Sequence, residues 1–548
     1  MTSRQIASSG RLQRLAPAIP FAVLLPAYAM SLSNHLTEDS LWYAHDILHP
    51  GELHFHPHHL LYDPIMRLLI LPALAPLGSP EASLLFLQWV NVLFGAAAIS
   101  VFCAAALRLG AGALNACAVS LLLGLSAFSY SYSSQIEVYS LTSLFLGVAL
   151  IGHARSDDTI SARLFTAAGF AFALFFHQTA IFFALAVVTD ELLARRDAPG
   201  RLAGRLAVTL AMPLIFVALV YFYVGYSLGY RTPIEFWHWL TLHVQWGHWG
   251  AGTLSGSTLV TAWHRFWQAV IAPGPGQRQL AGVLVPAVCL YVAARIIARG
   301  RAAFRRPSLI IGCIVWMSGL AIFTTWWDAR GAEFWGMFLM PVCLVLSLLG
   351  PAPEERLSSG SAGQERAASA TANVAMATML LVLASTDMTL HQRNEAPNDL
   401  REAARALPRV ARDGDLVLSA GTDGATYYRI YLEERRVEVM AVNVKPAKEP
   451  AERCPPGSFT ACLLDEIEAH ARAVESRGGR LLADGRVLSG RIATTRLTEH
   501  LDTVEFSSTL RQRFEAIPLT SGDDPADAAV YELRPRRAAT DAIQRPSK

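Results

Sequence analysis

The pattern of apolar and polar positions is dominated by long apolar runs broken by short polar turns. A helix needs about 20 apolar residues to cross the hydrocarbon of a bilayer. Runs of that kind, some of them short, lie at 15–33, 83–107, 113–129, 137–152, 163–176, 178–193, 206–224, 279–297, 308–326, 334–350 and 371–390. The pattern predicts a polytopic α-helical membrane protein with about 11 transmembrane helices, over residues 1–390. A further apolar stretch, 60–77, carries Pro72, Pro76 and an internal Arg67. Past residue 391 the period changes. Helical stretches near 400–410, 427–433 and 463–476 alternate with short β-rich runs at 415–420, 437–442 and 480–483. That alternation predicts a small α/β domain with a parallel sheet over 391–548. Its Gly-rich turn, Ala420 to Gly424, is a lone loop and not a phosphate-binding fingerprint. No internal repeat is evident.

Composition agrees. The chain of 548 residues is 53% hydrophobic and only 16% charged, where soluble domains run near ~25% charged. The formal net charge of +2 gives no reason to expect a nucleic-acid partner. The placement of arginine is more informative, because cytoplasmic loops are enriched in Lys and Arg. With the N-terminus (Arg4, Arg11, Arg14) in the cytoplasm, the basic loops around Arg155 and Arg163, Arg195 to Arg205, and Arg295 to Arg306 share that side only if 60–77 does not span. The expected arrangement has 60–77 lying against the outer face. Outer loops then occupy 34–82, 226–278 and 326–333, the polar linker 351–370 is cytoplasmic, and 391–548 is exported. No small-residue cleavage pattern follows the first span, so it reads as an anchor and not a cleaved signal. The expected location is a bacterial inner membrane. Of seven cysteines, Cys454 and Cys462 lie in the exported tail. There an oxidising compartment permits a bridge, with two free thiols the other reading.

Polar residues that interrupt the apolar pattern at its outer ends are the candidates for chemistry. Glu38 and Asp39 follow the first span, where a carboxylate can act as base on an acceptor hydroxyl or merely end a helix in water. His54, His56, His58 and His59 stand within six residues, interrupted by Pro57. The spacing is not that of a helical zinc site. Metal ligation, lining of a polar site and incidental clustering all stay open, so a divalent metal is an open question. Glu137, with Tyr139, opens a membrane segment, where an ionisable group is costly unless it faces a cavity. His177 and Gln178 form another outer turn. Trp326 to Trp335 packs Asp328, Arg330 and Glu333 among aromatics, and Arg330 has the geometry to balance a phosphate. The loop 226–278 adds six tryptophans, among them Trp237 and Trp239. The polar residues are expected to converge on one outer cavity.

These motifs resemble the GT-C superfamily of membrane glycosyltransferases, in particular its protein O-mannosyltransferase-like group. The matching elements are Glu38-Asp39-Ser40, the run His56-Pro57-His58-His59-Leu60-Leu61-Tyr62, Gln135-Ile136-Glu137-Val138-Tyr139-Ser140-Leu141 and the turn His177-Gln178. In the tail they are the segment Asp413 to Asp423, then Tyr431-Leu432 and Val442-Asn443. The likeness covers most of the chain at low density. His58-His59 stand where relatives often carry Pro-Gly. Asp39-Ser40-Leu41-Trp42 stands where relatives often show Asp-Ser-Gly-Glu, so either Glu38 replaces the second carboxylate or the acceptor differs. The resemblance implies a transferase that moves a sugar from a polyprenyl-phosphate donor to a hydroxyl of a lipid, glycan or protein at the outer face. Asp39 would be the base, supported by Glu38. Arg330 and the histidines are candidates to stabilise the departing phosphate, and His56, His58, His59, Tyr62, Glu137, Tyr139, His177, Gln178, Asp328, Arg330 and Glu333 are candidates to line the site. Two other classes remain. A transporter or flippase would carry charges deep within its spans or broken, repeated helices, and the spans here are nearly free of interior charge. A non-catalytic assembly protein would keep its function when Asp39 is changed and the tail is intact.

Overall fold

A computed structural model describes residues 13–49, 55–74, 78–154, 159–194, 199–241, 255–270, 306–348, 398–432, 435–442, 459–492, 501–520 and 529–536. The expected spans 279–297 and 371–390, His54, Cys454 and the linker 351–370 lie outside the described residues. The chain divides into two compact units. One comprises Met1–Asn34, Pro50–Gly78 and Ala82–Asn394; the other comprises His35–His49, Ser79–Glu81 and Glu395–Lys548.

The first unit is a helical bundle. Three of its described helices are long and apolar enough to cross a membrane: Pro80–Arg108, Pro199–Ser227 and Pro307–Asp328. Ala113–Leu125 and Ala127–Ser133 form a pair bent by 65° that counts as a fourth if read as one span. The bend falls at Ser126, whose hydroxyl donates to Leu123 O and accepts from the Ser129 N–H, so it ends one helix and caps the next. Shorter apolar helices occupy Tyr139–His153, Ile160–Phe176 and Ala332–Leu348. The protein is an integral membrane protein whose fold is mostly helical, with a small sheet.

Close approach between helices is built on small residues. A Cβ on Gly169 would come within 2.6 Å of the Ala149 backbone nitrogen, and one on Gly312 within 2.6 Å of the Ala186 carbonyl oxygen. Neither obstacle is a side chain that can swing away. Glycine at these two positions lets Ile160–Phe176 seat on Tyr139–His153, and Pro307–Asp328 on Phe183–Ala194, which is how helices pack where lipid gives no hydrophobic drive.

The stretch 60–77 contains a helix, Tyr62–Leu74. At about 1.5 Å per residue it is about 20 Å long, against a hydrocarbon core of about 30 Å. Tyr62, Met66 and Ile70 are buried at i, i+4 and i+8, while Leu68 and Leu69 are exposed.

In the second unit the sheet has the order β2-β1-β3-β5-β4, with β1 Leu416–Ser419, β2 Glu438–Ala441, β3 Leu481–Asp484, β4 Phe514–Pro518 and β5 Val530–Pro535. β1 runs parallel to β2 and β3, in register Leu416↔Glu438 and Leu416↔Leu481. β5 pairs antiparallel with β3 and with β4. The parallel half follows the helix–strand alternation of the sequence. The antiparallel edge was not expected, because β4 (FEAIP) mixes Glu and Pro with few apolar residues. The core is made by β1, β3 and β5 with the helices Phe459–Glu475 and Thr503–Arg513, through Leu416, Leu418, Leu464, Ile467, Ala483, Phe506, Leu510 and Leu533. Arg480, just before β3, fastens that strand to the start of β1. Its guanidinium donates to Asp415 at 2.7 Å and to Val410 O at 2.6 Å. Cys462 is disulfide-bonded.

Candidate functional site

The histidine segment meets the turn at His177 in the helical unit. Leu61 N–H donates to Phe175 O at 3.2 Å, and Gln178 Nε2 donates to Pro57 O at 2.7 Å. The Tyr221 hydroxyl donates to the same Pro57 oxygen at 2.8 Å. Both lone pairs of one carbonyl are thus engaged, and the segment is held to two other parts of the chain.

On this frame the rings stack. His56 and His59 lie 5.1 Å apart and nearly parallel, at 13°, and His58 stands edge-on to His56 at 5.1 Å. His59 meets His177 at 5.1 Å, and His177 meets Tyr139 at 5.1 Å. The loop around Arg330 closes the group from another side, with Trp327 at 5.4 Å from His58 and Phe334 at 6.3 Å from His177. His56, His58, His59, Tyr139, His177, Gln178 and the 327–334 loop, which are separate in sequence, therefore meet in one place.

Local hydrogen bonds fix which ring nitrogen carries the proton. His177 Nδ1 lies 2.6 Å from Thr179 Oγ1 and accepts from the Thr179 N–H at 3.2 Å. An accepting Nδ1 leaves the proton on Nε2. His56 Nδ1 accepts from the His58 N–H at 3.2 Å and has the same tautomer. His59 is reversed, because its Nδ1 faces the Phe176 carbonyl at 3.2 Å and must donate. Burial holds the His59 imidazole well below its ordinary pKa, and the neighbouring His177, His56 and His58 push the same way. It is neutral at physiological pH.

A second group adjoins the rings. Glu137, Asp63 and Tyr62 are all buried. Burial first, then the Asp63 and Glu137 carboxylates, hold the Tyr62 phenol well above its ordinary range. Asp63 was not singled out in the sequence, although it directly follows Tyr62. Thr179 and Tyr221 were also missed. The only trace of Tyr221 is that, with Tyr223, it is one of two tyrosines in the apolar run around 212–224.

The loop after Pro307–Asp328 divides its work. Asp328 Oδ1 accepts from the Arg330 N–H at 3.0 Å, and Trp335 Nε1 donates to Ala329 O at 3.3 Å. Asp328 therefore shapes the turn. Glu333 is partly buried and the Arg330 side chain is exposed. Among the described residues, no group of three or more His, Cys, Asp or Glu side chains is placed to hold a metal ion.

Glu38 and Asp39 belong to the other unit. They do not trail from the end of the first span. They open a separate helix, Glu38–Leu48, capped by Thr37, whose Oγ1 accepts from the Ser40 N–H at 3.0 Å. Both carboxylates are exposed in its first turn. Desolvation, and then the like charge of Glu38, raise the Asp39 carboxyl to about 6. Its surface is open to solvent, so this is a carboxylate hemmed by protein rather than sealed from water. The same helix buries His45 and Asp46, with His45 Nδ1 at 3.2 Å from Asp46 Oδ1, and His49 stacks on His45 at 4.3 Å. A His-Asp-x-x-His pattern at helical spacing was the available signal for these three.

No protein-family model matches the sequence, and no curated protein matches it. Solved structures do. ArnT from Cupriavidus metallidurans bound to undecaprenyl phosphate superposes with a TM-score of 0.60 at 13% identity, over 94% of this chain and 97% of that one. The apo state of the same protein gives 0.60 at 14% identity, over 96% and 98%. The archaeal oligosaccharyltransferase AglB from Archaeoglobus fulgidus, in complex with an inhibitory peptide and a dolichol-phosphate, gives 0.50 at 11% identity, over 95% and 74%. At such identities the likeness is one of fold alone: the chain shares the fold of ArnT and, more loosely, that of AglB.

Proposed function

We propose that the protein is a membrane glycosyltransferase that moves a sugar from a polyprenyl-phosphate donor to an acceptor hydroxyl at the outer face of the membrane. The observation that carries this reading is the ring cluster. His56 and His177 are held as tautomers with the proton on Nε2, on a frame shared with the Arg330 loop. Neutral N–H donors with an arginine nearby suit a phosphate that gains charge as it leaves. The undecaprenyl phosphate of ArnT and the dolichol-phosphate of AglB make a lipid phosphate the natural class of donor.

The acceptor O–H gives its proton to the Asp39 carboxylate. Its oxygen forms a bond to the anomeric carbon in line with the bond that breaks, between that carbon and the phosphate oxygen. The lipid phosphate departs with both electrons. It needs charge stabilisation more than protonation, the part assigned to the histidines and Arg330. Glu38 supports Asp39 as a neighbouring carboxylate.

The purified protein, incubated with defined polyprenyl-phosphate sugars and candidate acceptors, should release polyprenyl phosphate in step with glycosylated product. No release from any donor would reject the reading. The orientation is part of the proposal, with the N-terminus in the cytoplasm and 391–548 outside a bacterial inner membrane. Reporter fusions at Gly360 and Gly424 should report inside and outside respectively.

A further inference from the structure

The helix that bears Glu38 and Asp39 is not a free loop of the bundle. It folds with the C-terminal α/β domain, as part of the same compact unit. Among the described elements its main packing partner is the helix Thr422–Tyr431. Seven of its eleven residues are buried, Ser40, Leu41, Tyr43, Ala44, His45, Asp46 and Ile47, so its orientation is set along its length. Tyr427 is buried in Thr422–Tyr431, and its hydroxyl lies beside the Leu36 backbone and Asn398. The three-residue segment Ser79–Glu81 is held in the same unit. Arg405 Nε donates to Glu81 Oε1 at 2.9 Å while its Nη1 donates to Glu402 Oε1 at 2.6 Å, and Tyr431 lies beside Glu81.

We infer that the C-terminal α/β domain acts in the reaction by fixing the helix Glu38–Leu48, with Tyr427 as its principal positioning residue. This rests on the proposed role of Asp39 as base. A base must hold its place to within a fraction of an ångström, and catalytic groups on a helix keep such a place only if the helix is itself locked. The domain brings no group to the substrate in this account. Its contribution is made through residues separated from Asp39 by more than 380 positions in the chain.

The test uses the full chain in lipid nanodiscs and two readouts, amide hydrogen exchange and transfer from a polyprenyl-phosphate sugar. Tyr427→Ala and, at a buried position of the helix itself, Ala44→Trp should raise exchange across residues 38–48 about tenfold or more, because local opening sets the exchange rate. Tyr427→Phe, which keeps the buried ring and loses only the hydroxyl beside Leu36, should raise exchange less than Tyr427→Ala. In the two loosened variants kcat should fall while the KM for the donor stays put. If Tyr427→Ala unfolds the domain, seen as lost protection of β1 and β3, Ala44→Trp decides. Wild-type exchange over 38–48 in Ala44→Trp, or raised exchange with kcat unchanged, would overturn the inference. Full activity in Asp39→Asn would instead remove the base assignment, and the exchange data would still report the docking.

Discussion

The two regions that carry the candidate chemistry are built in opposite ways. The histidine region is held by hydrogen bonds between side chains and backbone groups, some within a segment and some between neighbouring ones. Pro57 is pinned by Gln178 and Tyr221, and His59 by Phe176. Burial holds its His59 and His177 rings below their ordinary pKa, and its hydrogen bonds are spent on choosing tautomers. The carboxylate region is rigid because a whole helix is buried against another, and its two acids are left exposed in the first turn. One region offers N–H donors of fixed direction. The other offers a base whose proton affinity is tuned up to about 6. A transfer reaction needs both, a group to take a proton and groups to receive an anion, and they call for opposite environments.

The strongest way to break this division is to remove the base. Asp39→Asn keeps the size of the side chain and removes its basicity, so turnover should fall about 10²-fold or more with expression intact. Lost activity in Glu38→Gln with Asp39→Asn unaffected would move the base by one residue. The wild-type pH profile should follow the same group. Only the carboxylate form can accept the proton, and the Asp39 carboxyl is raised to about 6. The rate should be flat above that pH and fall about tenfold per unit below it.

The second test separates the regions by covalent chemistry. Cys462 is disulfide-bonded, and reduction should cost the C-terminal domain about 2–3 kcal/mol. Calorimetry with and without a thiol reductant would show it as a lower transition for that domain and an unmoved one for the bundle. A shift of both transitions together would mean that the units do not unfold separately.

The sequence made one region far more legible than the other. The histidine motif, the Glu137 motif, His177-Gln178 and the Arg330 loop each announce themselves as polar breaks in apolar runs, and the structure brings members of all four to one neighbourhood. What holds them there was hidden. Tyr221 is one of three tyrosines in an apolar helix, and Thr179 works through its own backbone and hydroxyl on the residue two before it. For Glu38 and Asp39 the residues were legible and the element was not. Thr37-Glu38-Asp39-Ser40 reads equally as the frayed end of one helix or the capped start of another, and only packing on Thr422–Tyr431 decides. The parallel strands β1 and β3, buried at all four positions, could be read because buried strands are near-continuous apolar runs, and β2, at the edge, because it lies in the apolar stretch 437–442. β4 could not, because an edge strand tolerates Glu and Pro.

Within the ring cluster, His59→Ala should lower kcat/KM by about tenfold, less than the loss of the base, because one of several convergent groups is removed. Its reversed tautomer gives the comparison an internal control. His56→Ala removes an Nε2–H donor, whereas His59→Ala removes a ring whose proton is already given to Phe176 O. Donor affinity, measured by titration with polyprenyl phosphate alone, should weaken more in His56→Ala. Equal losses in the two variants would mean that the rings act by stacking and not by the placement of protons.

The smallest expected effect tests the frame itself. Tyr221→Phe deletes one of the two donors on the Pro57 carbonyl and leaves Gln178 at 2.7 Å in place. The carbonyl is then still satisfied, so the cost should be that of one ordinary hydrogen bond, about 1 kcal/mol. Gln178→Leu alone should cost a similar amount for the same reason. The double variant should not be the sum. With both donors gone the carbonyl loses both hydrogen bonds in a place built by three segments, and the penalty becomes that of an orphaned polar group, about 1–3 kcal/mol beyond the single losses. Thermal stability of the four proteins in one detergent gives the coupling directly. A simply additive result would show that water takes over the vacated lone pair. In that case the histidine segment is held by its ring contacts and the Leu61–Phe175 bond, and the rigidity assigned here to the shared carbonyl belongs to them.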